Sequence, residues 1–162
     1  MLETKSISDC GLYFGTTWLV TMLVVSGVLL MILASNTLAQ HLRRFTAWLY
    51  FPLFATLVLL FLVPREIVLG WPIAERLLWT LFAVPLPVFF AGLIFSTTLN
   101  EDSERPAIGT AALFGANLIG ATVGGFCEYL GMAIGLHQLM LLVFAAYAAS
   151  LSCRFFLRET QL

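Results

Sequence analysis

Residues 16–35 read TTWLVTMLVVSGVLLMILAS, and they lie inside a longer segment without charge that runs from Cys10 to Gln40. A membrane-spanning helix needs about 20 mostly apolar residues, because each residue adds about 1.5 Å along the axis and the hydrocarbon core is about 30 Å thick. This segment therefore predicts a transmembrane helix over residues 14–36. The polar residues His41, Arg43 and Arg44 follow it and are expected to end it.

The composition of the whole chain agrees with a membrane protein. Of the 162 residues, 60% are hydrophobic and 10% are charged, and the mean hydropathy is +0.97. A soluble domain of this length could not bury so much apolar surface, and such domains are about one quarter charged. The formal net charge of −1 provides no basic patch. We therefore expect the lipid bilayer as the surroundings and exclude nucleic acid as a partner.

Four further apolar segments are bounded by charged or turn-forming residues, and they predict spans at residues 46–63, 77–99, 107–129 and 136–155. The predicted fold class is thus all-α: a polytopic integral membrane protein with about five transmembrane helices in one domain, residues 1–162. Pro85 and Pro87 should kink the third span, because proline lacks the backbone donor of a helix. The last two spans are expected to be joined by a turn at Leu130–Gly135.

The segment between the second and third spans is different in character. Residues 65–76 read REIVLGWPIAER, which combines charge with a turn signal from Gly70 to Pro72. We expect this segment to lie at the membrane interface, with Trp71 at the level of the headgroups.

The distribution of arginine and lysine predicts the orientation of the spans, because both residues are enriched in short cytoplasmic loops. Five such residues lie on one side of the predicted spans and three on the other. We therefore expect the N-terminus outside and the C-terminus inside a bacterial cytoplasmic membrane. The five predicted to be cytoplasmic are Arg43, Arg44, Arg105, Arg154 and Arg158, and the three predicted to be outside are Lys5, Arg65 and Arg76.

The fourth span contains the most informative pattern, GANLIGATVGGFCEYLGMAIG at residues 115–135. At about 100° per residue, Asn117, Gly124 and Glu128 fall within about 40° of one another on a helix, and Gly120 lies beside them. We call these four residues the Asn117–Glu128 stripe. Small residues allow a second helix to approach closely. The stripe is either a face for a partner or ligand, or an ordinary contact with another span of this chain.

Two polar side chains of the stripe have alternative roles. An ionised Glu128 at the bilayer centre would cost about 3 kcal/mol, so it is a candidate for proton relay or ligand binding. The alternative is a position near the outer interface, beside Tyr129. Asn117 is expected to donate a hydrogen bond between helices, worth about 0.6 kcal/mol.

The sequence offers little for catalysis or for a cofactor. It contains no phosphate-binding loop, nucleophile elbow or zinc-protease motif, and its three cysteines form no C-x-x-C pair. His41 and His137 both stand near predicted span ends, which is poor geometry for paired haem ligation. We therefore predict no catalytic residue, no metal and no cofactor.

Three stretches resemble the membrane part of bacterial spermidine-synthase-like membrane proteins: residues 13–36, 86–96 and 115–151. The last is the most specific, through the order of Asn117, Gly120, Gly124, Gly125, Glu128, Tyr129 and Gly135. In that family the membrane region is often joined to a soluble aminopropyltransferase-like domain with a glycine-rich nucleotide site. The resemblance implies a membrane role. We expect no polyamine synthesis, since these 162 residues include no such domain and no catalytic residue carries over.

Three functions follow as hypotheses. The expected one is a non-catalytic membrane subunit or scaffold that packs against partner membrane proteins or against itself, because the loops are short and the stripe is rich in glycine. The alternative is a small transporter or lipophilic-ligand module that uses Glu128 and Asn117, since broken helices and buried polar groups mark substrate paths. A membrane-embedded enzyme has the least support, because no second acid, nucleophile or ligand set accompanies Glu128.

Overall fold

The computed structural model describes residues 7–8, 10–11, 13–15, 18–42, 47–63, 65–104 and 109–159. The secondary structure of these residues is helical, without a strand, which confirms the predicted all-α class. From Trp18 onward the α-helices are α1 (Trp18–His41), α2 (Tyr50–Leu62), α3 (Arg65–Leu69), α4 (Ile73–Leu78), α5 (Leu86–Glu104), α6 (Thr110–Ile134) and α7 (Leu136–Glu159). A 3₁₀ turn at Ala47–Leu49 precedes α2, and a π-helical turn at Trp79–Ala83 follows α4.

Three helical segments are long and apolar enough to cross a membrane. They are Val20–His41 in α1, Ile73–Glu101 across α4 and α5, and Thr110–Gly131 in α6. They correspond to the first, third and fourth predicted spans. The other two predicted spans coincide with shorter apolar helices, Tyr50–Leu62 and Gln138–Arg154. The number of five crossings therefore stays a prediction.

Several helices extend beyond the predicted bounds: α5 continues past residue 99 to Glu104, and α7 continues past residue 155 to Glu159. α1 continues beyond residue 36 to His41, because residues 37–41, TLAQH, contain neither glycine nor proline to end the helix. α6 continues through most of the predicted turn and ends at Ile134; Gly135 follows with a φ of +95°, a conformation that glycine adopts at little cost. Positions 16–17, 46 and 107–108 of the predicted spans lie outside the described residues.

At the prolines that are predicted to kink the third span, a π-helical turn at Trp79–Ala83 and a turn at residues 84–85 interrupt the regular α-helix. Pro85 and Pro87 have no N–H to donate, and the N–H of Val84 reaches back five residues to the Trp79 oxygen, over 3.1 Å. α5 then begins at Leu86. The interruption begins upstream of the prolines, because the ring of a helical proline clashes with the carbonyl one turn before it.

α1 and α5 form the most extensive helix contact, and glycines bring them together. A Cβ atom added to Gly92 of α5 would lie 2.6 Å from the Ser35 hydroxyl oxygen of α1. A Cβ atom added to Gly27 of α1 would lie 3.2 Å from the carbonyl oxygen of Leu81 in the π-helical turn that precedes α5. α1 therefore packs on α5 and on this turn through small residues, a kind of contact typical of membrane helices.

Two hydrogen bonds from α5 side chains join α5 to α1 near the C-terminal ends of both helices. The Ser96 hydroxyl of α5 donates to the Asn36 side-chain oxygen of α1 over 2.7 Å. The Asn100 amide of α5 donates to the Ala39 carbonyl over 3.0 Å. The C-terminal ends of α1 and α5 consequently lie at one end of the bundle, which we call the polar end.

Arg76 organises the opposite end. Its guanidinium donates to three backbone carbonyls, those of Tyr13 (2.9 Å), Leu69 (2.6 Å) and Trp71 (3.0 Å). It also lies 5.9 Å from the centroid of the Phe14 ring. The sequence predicted only a loop charge here, whereas this side chain ties the N-terminal segment to the turn between α3 and α4.

Two apolar clusters form the core. One contains Cys10, Tyr13, Val20, Val24, Val28 and Val68, and the other joins α2, α5 and α7 through Tyr50, Leu53, Leu57, Ile94, Met140 and Val143. α6 contributes to neither cluster, and no residue from 110 to 130 is buried. Its described contacts are with α7 and, to a smaller extent, α5. α6 is therefore the peripheral helix of the bundle.

Candidate functional site

All four residues of the Asn117–Glu128 stripe lie on α6. This helix is continuous from Thr110 to Ile134, so the stripe occupies one face as the sequence predicts. Asn117 and Gly120 are exposed, and Gly124 and Glu128 are half-buried. The candidate residues therefore belong to the helix that is least covered by the described part of the chain.

The glycines of α6 do not pack against another described helix. A Cβ atom added to Gly115, Gly120, Gly124 or Gly125 would meet no heavy atom within 4 Å. Close glycine packing occurs instead at Gly27 and Gly92, which sequence reasoning did not single out. A glycine inside a helix costs about 1 kcal/mol relative to alanine, and that cost is the signal that would have pointed to them.

An open cleft separates α6 from the polar end of the bundle. Its volume is about 830 Å³, and five helices line it. α6 contributes Leu113, Phe114 and Asn117 to its wall. On the α6 helix, Leu113 lies about 40° from Asn117 and about 20° from Gly120. The stripe therefore continues the wall of the cleft along α6.

The cleft is polar at one end and apolar at the other. At the polar end, Arg154 of α7 donates to the Thr98 hydroxyl over 2.5 Å, and the hydroxyls of Tyr50 and Ser150 share a hydrogen bond of 2.9 Å. Arg154 is the only charged side chain among the described residues that line the cleft. The apolar end is lined by Ile32, Val88, Ala91 and Phe95.

The structure brings Asn117 into this cleft but leaves Glu128 out of its described lining. Arg154 and Asn100 are lining residues that sequence reasoning missed: Arg154 counted only as a loop charge, and Asn100 only as the end of an apolar segment. The signal for them was the presence of polar residues inside apolar helices, as in residues 96–100, STTLN.

The two histidines considered as possible ligands do not contribute to the cleft as far as the structure describes them. The Nδ1 atom of His41 donates to the Thr37 carbonyl of its own helix over 3.1 Å. The side chain of His137 lies outside the described set. Within the part of the chain that the structure describes, no group of three His, Cys, Asp or Glu side chains is placed to share a metal ion.

No family model matches the chain, and neither the curated proteins nor the solved structures contain a significant match. The resemblance to the membrane part of spermidine-synthase-like membrane proteins accordingly stays a proposal that rests on the quoted residues.

Proposed function

We propose that this chain is a non-catalytic membrane subunit whose helix α6 packs against a transmembrane helix of a partner membrane protein. The observation that carries the proposal is the open space around Gly120 and Gly124, where an added Cβ atom would meet nothing within 4 Å. Gly120 is exposed and Gly124 is half-buried, and further around α6 the apolar side chains of Leu118, Ile119 and Phe126 are exposed as well.

The physical reason lies in how membrane helices associate. Lipid tails are as apolar as leucine, so helices associate through close van der Waals contact and hydrogen bonds rather than through the hydrophobic effect. Glycines cost helix stability, and close packing offsets that cost at Gly27, against the π-helical turn, and at Gly92, against α1. On α6 a helix from a partner would provide the same compensation at Gly120 and Gly124.

The proposal includes five crossings of a bacterial cytoplasmic membrane, with the N-terminus outside. The shorter helices are compatible with it. The 13 residues of α2 extend about 20 Å, and the preceding 3₁₀ turn adds about 6 Å. The 24 residues of α7 extend about 36 Å. A bilayer of about 30 Å adapts to differences of this size by local thinning or by helix tilt.

The test is purification of the tagged chain in mild detergent, with the mass and identity of whatever remains bound. Gly120→Leu together with Gly124→Leu should release the partner, because two leucines fill the face on which its helix packs. Gly115→Leu is the matched control: it makes the same change on α6, is equally uncrowded, and lies about 180° from Gly124.

Three outcomes decide the proposal. A partner held by the wild type and by the control, but not by the double variant, supports it. A partner held equally by all three variants overturns the assignment of this face. If two differently tagged copies of this chain co-purify and nothing else does, the occupant of the face is a second copy rather than another protein.

A further inference from the structure

The cleft at the polar end has a shape suited to one class of ligand, and we propose that it binds an anionic phospholipid. In this arrangement the phosphate lies at Arg154 and one acyl chain follows the apolar wall toward the middle of the bundle. The site does not depend on a partner for α6. The sequence also suggested, as an alternative function, a module that binds a lipophilic ligand. The cleft is a place for such a ligand, and its lining includes Asn117 but not Glu128.

The first argument is charge. Arg154 is the only charged side chain among the described lining residues, so its guanidinium is the group in this lining that attracts an anion. The hydrogen bond to Thr98 fixes the position of the guanidinium at the end of the cleft. A guanidinium presents five N–H donors in a planar fork that matches the oxygen atoms of a phosphate.

The second argument is length. Val88 and Asn100, both on α5, line the cleft, and the 12 residues between these positions span about 18 Å at about 1.5 Å each. One leaflet contributes about half of a hydrocarbon core that is about 30 Å thick, or about 15 Å. A lipid whose headgroup lies at Arg154 would therefore place its chain end near the bottom of the cleft.

The third argument is the gradient of polarity along the same wall. Asn36, Asn100 and Ser150 surround the end near Arg154, whereas Ile32, Val88 and Ala91 line the opposite end. The volume of about 830 Å³ is within the usual range of ligand pockets, and the cleft is open, so a second acyl chain can remain in the bilayer. Basic pockets between membrane helices bind lipid headgroups in this way.

The test is native mass spectrometry of the purified full chain, with phosphatidylglycerol and phosphatidylcholine as competing probes. The wild type should retain phosphatidylglycerol with a preference of about tenfold, the effect of one charge-assisted contact. Arg154→Gln should abolish that preference, and Arg154→Lys should keep part of it, because the charge remains while the fork is lost.

A second pair of variants tests the cleft without changing Arg154, in case Arg154→Gln does not fold. Leu113→Trp places a large ring on the cleft wall and should reduce retention of both lipids. Leu118→Trp makes the same change at an exposed position on α6, about 140° away, and should leave retention unchanged.

The following results would overturn the proposal. The first is equal retention of the two lipids by the wild type. The second is an unchanged preference in folded Arg154→Gln. The third is full displacement of phosphatidylglycerol by inorganic phosphate together with no effect of Leu113→Trp, which would identify a site for a free anion instead of a lipid.

Discussion

Gly92 shows at the scale of one residue how closely α1 and α5 approach. An added Cβ atom would lie 2.6 Å from the Ser35 hydroxyl oxygen and 3.4 Å from the Ser35 Cβ atom, and Ser35 is fully buried. The first distance requires a shift of packed atoms, whereas the second is ordinary contact. The identity of a single side chain across the interface therefore decides whether alanine is tolerated.

Gly92→Ala should lower the free energy of unfolding in detergent by about 1 to 3 kcal/mol through overpacking. Adding Ser35→Ala should recover most of that loss, because it removes the overlapping oxygen, and the recovery is measured as the coupling in a double-mutant cycle. Gly120→Ala is the matched control, since nothing lies within 4 Å of its added Cβ atom and helix propensity favours alanine. An additive cycle would contradict the described contact.

Arg76 provides a second prediction at this scale. Arg76→Gln should destabilise the chain by about 2 kcal/mol or more, because hydrogen bonds from a charged donor to three carbonyls are lost. Amide hydrogen exchange should accelerate around Tyr13 and Trp71 in particular. Glu75→Gln, at the exposed neighbouring position, should leave exchange unchanged there. Equal exchange in both variants would mean that Arg76 does not hold these segments.

At the scale of elements, the break between α4 and α5 and the uncovered helix α6 distinguish this bundle from a set of straight, fully packed helices. The break places a π-helical turn against Gly27 of α1, through the Leu81 carbonyl. α6 in turn leaves the cleft open between itself and the bundle. The first feature is an interruption of regular α-helix, and the second is a gap in the packing between helices.

Replacing Pro85 and Pro87 with alanine should convert the break into regular α-helix, since both restored N–H groups can then donate. The distance between spin labels at Ile73 and Glu101 should lengthen toward the roughly 42 Å of a straight helix. Pro52→Ala is the control, because Pro52 lies in the first turn of α2, where proline costs little. An unchanged distance in the double variant would show that packing, and not the prolines, maintains the break.

At the scale of the whole molecule, the five-crossing proposal makes a prediction about the termini. An odd number of crossings puts them on opposite sides, and the arginine count places the C-terminus in the cytoplasm. A reporter fused after Leu162 that is active only in the periplasm should therefore be inactive, and a fluorescent reporter should be bright. Periplasmic activity of the C-terminal fusion would reverse the orientation or change the number of crossings.

The sequence by itself determined the helical class, the three segments long enough to cross a membrane, the interruption near Pro85 and the placement of the Asn117–Glu128 stripe on one face of α6. These features are local. Apolar length, proline chemistry and the period of a helix act within a few turns of chain, and a bilayer leaves the backbone little choice besides a helix.

Only the tertiary structure decided which glycines are in contact and which are open, and that Arg154 lies at the end of a cleft. The hydrogen bond from Arg154 to Thr98 joins residues 56 positions apart, and Asn100 reaches Ala39 across 61. No local pattern encodes such pairs, because they depend on the rotation and spacing of helices that meet only in the folded bundle. For the same reason the open glycines of α6 look the same in sequence as the packed glycines of α1 and α5.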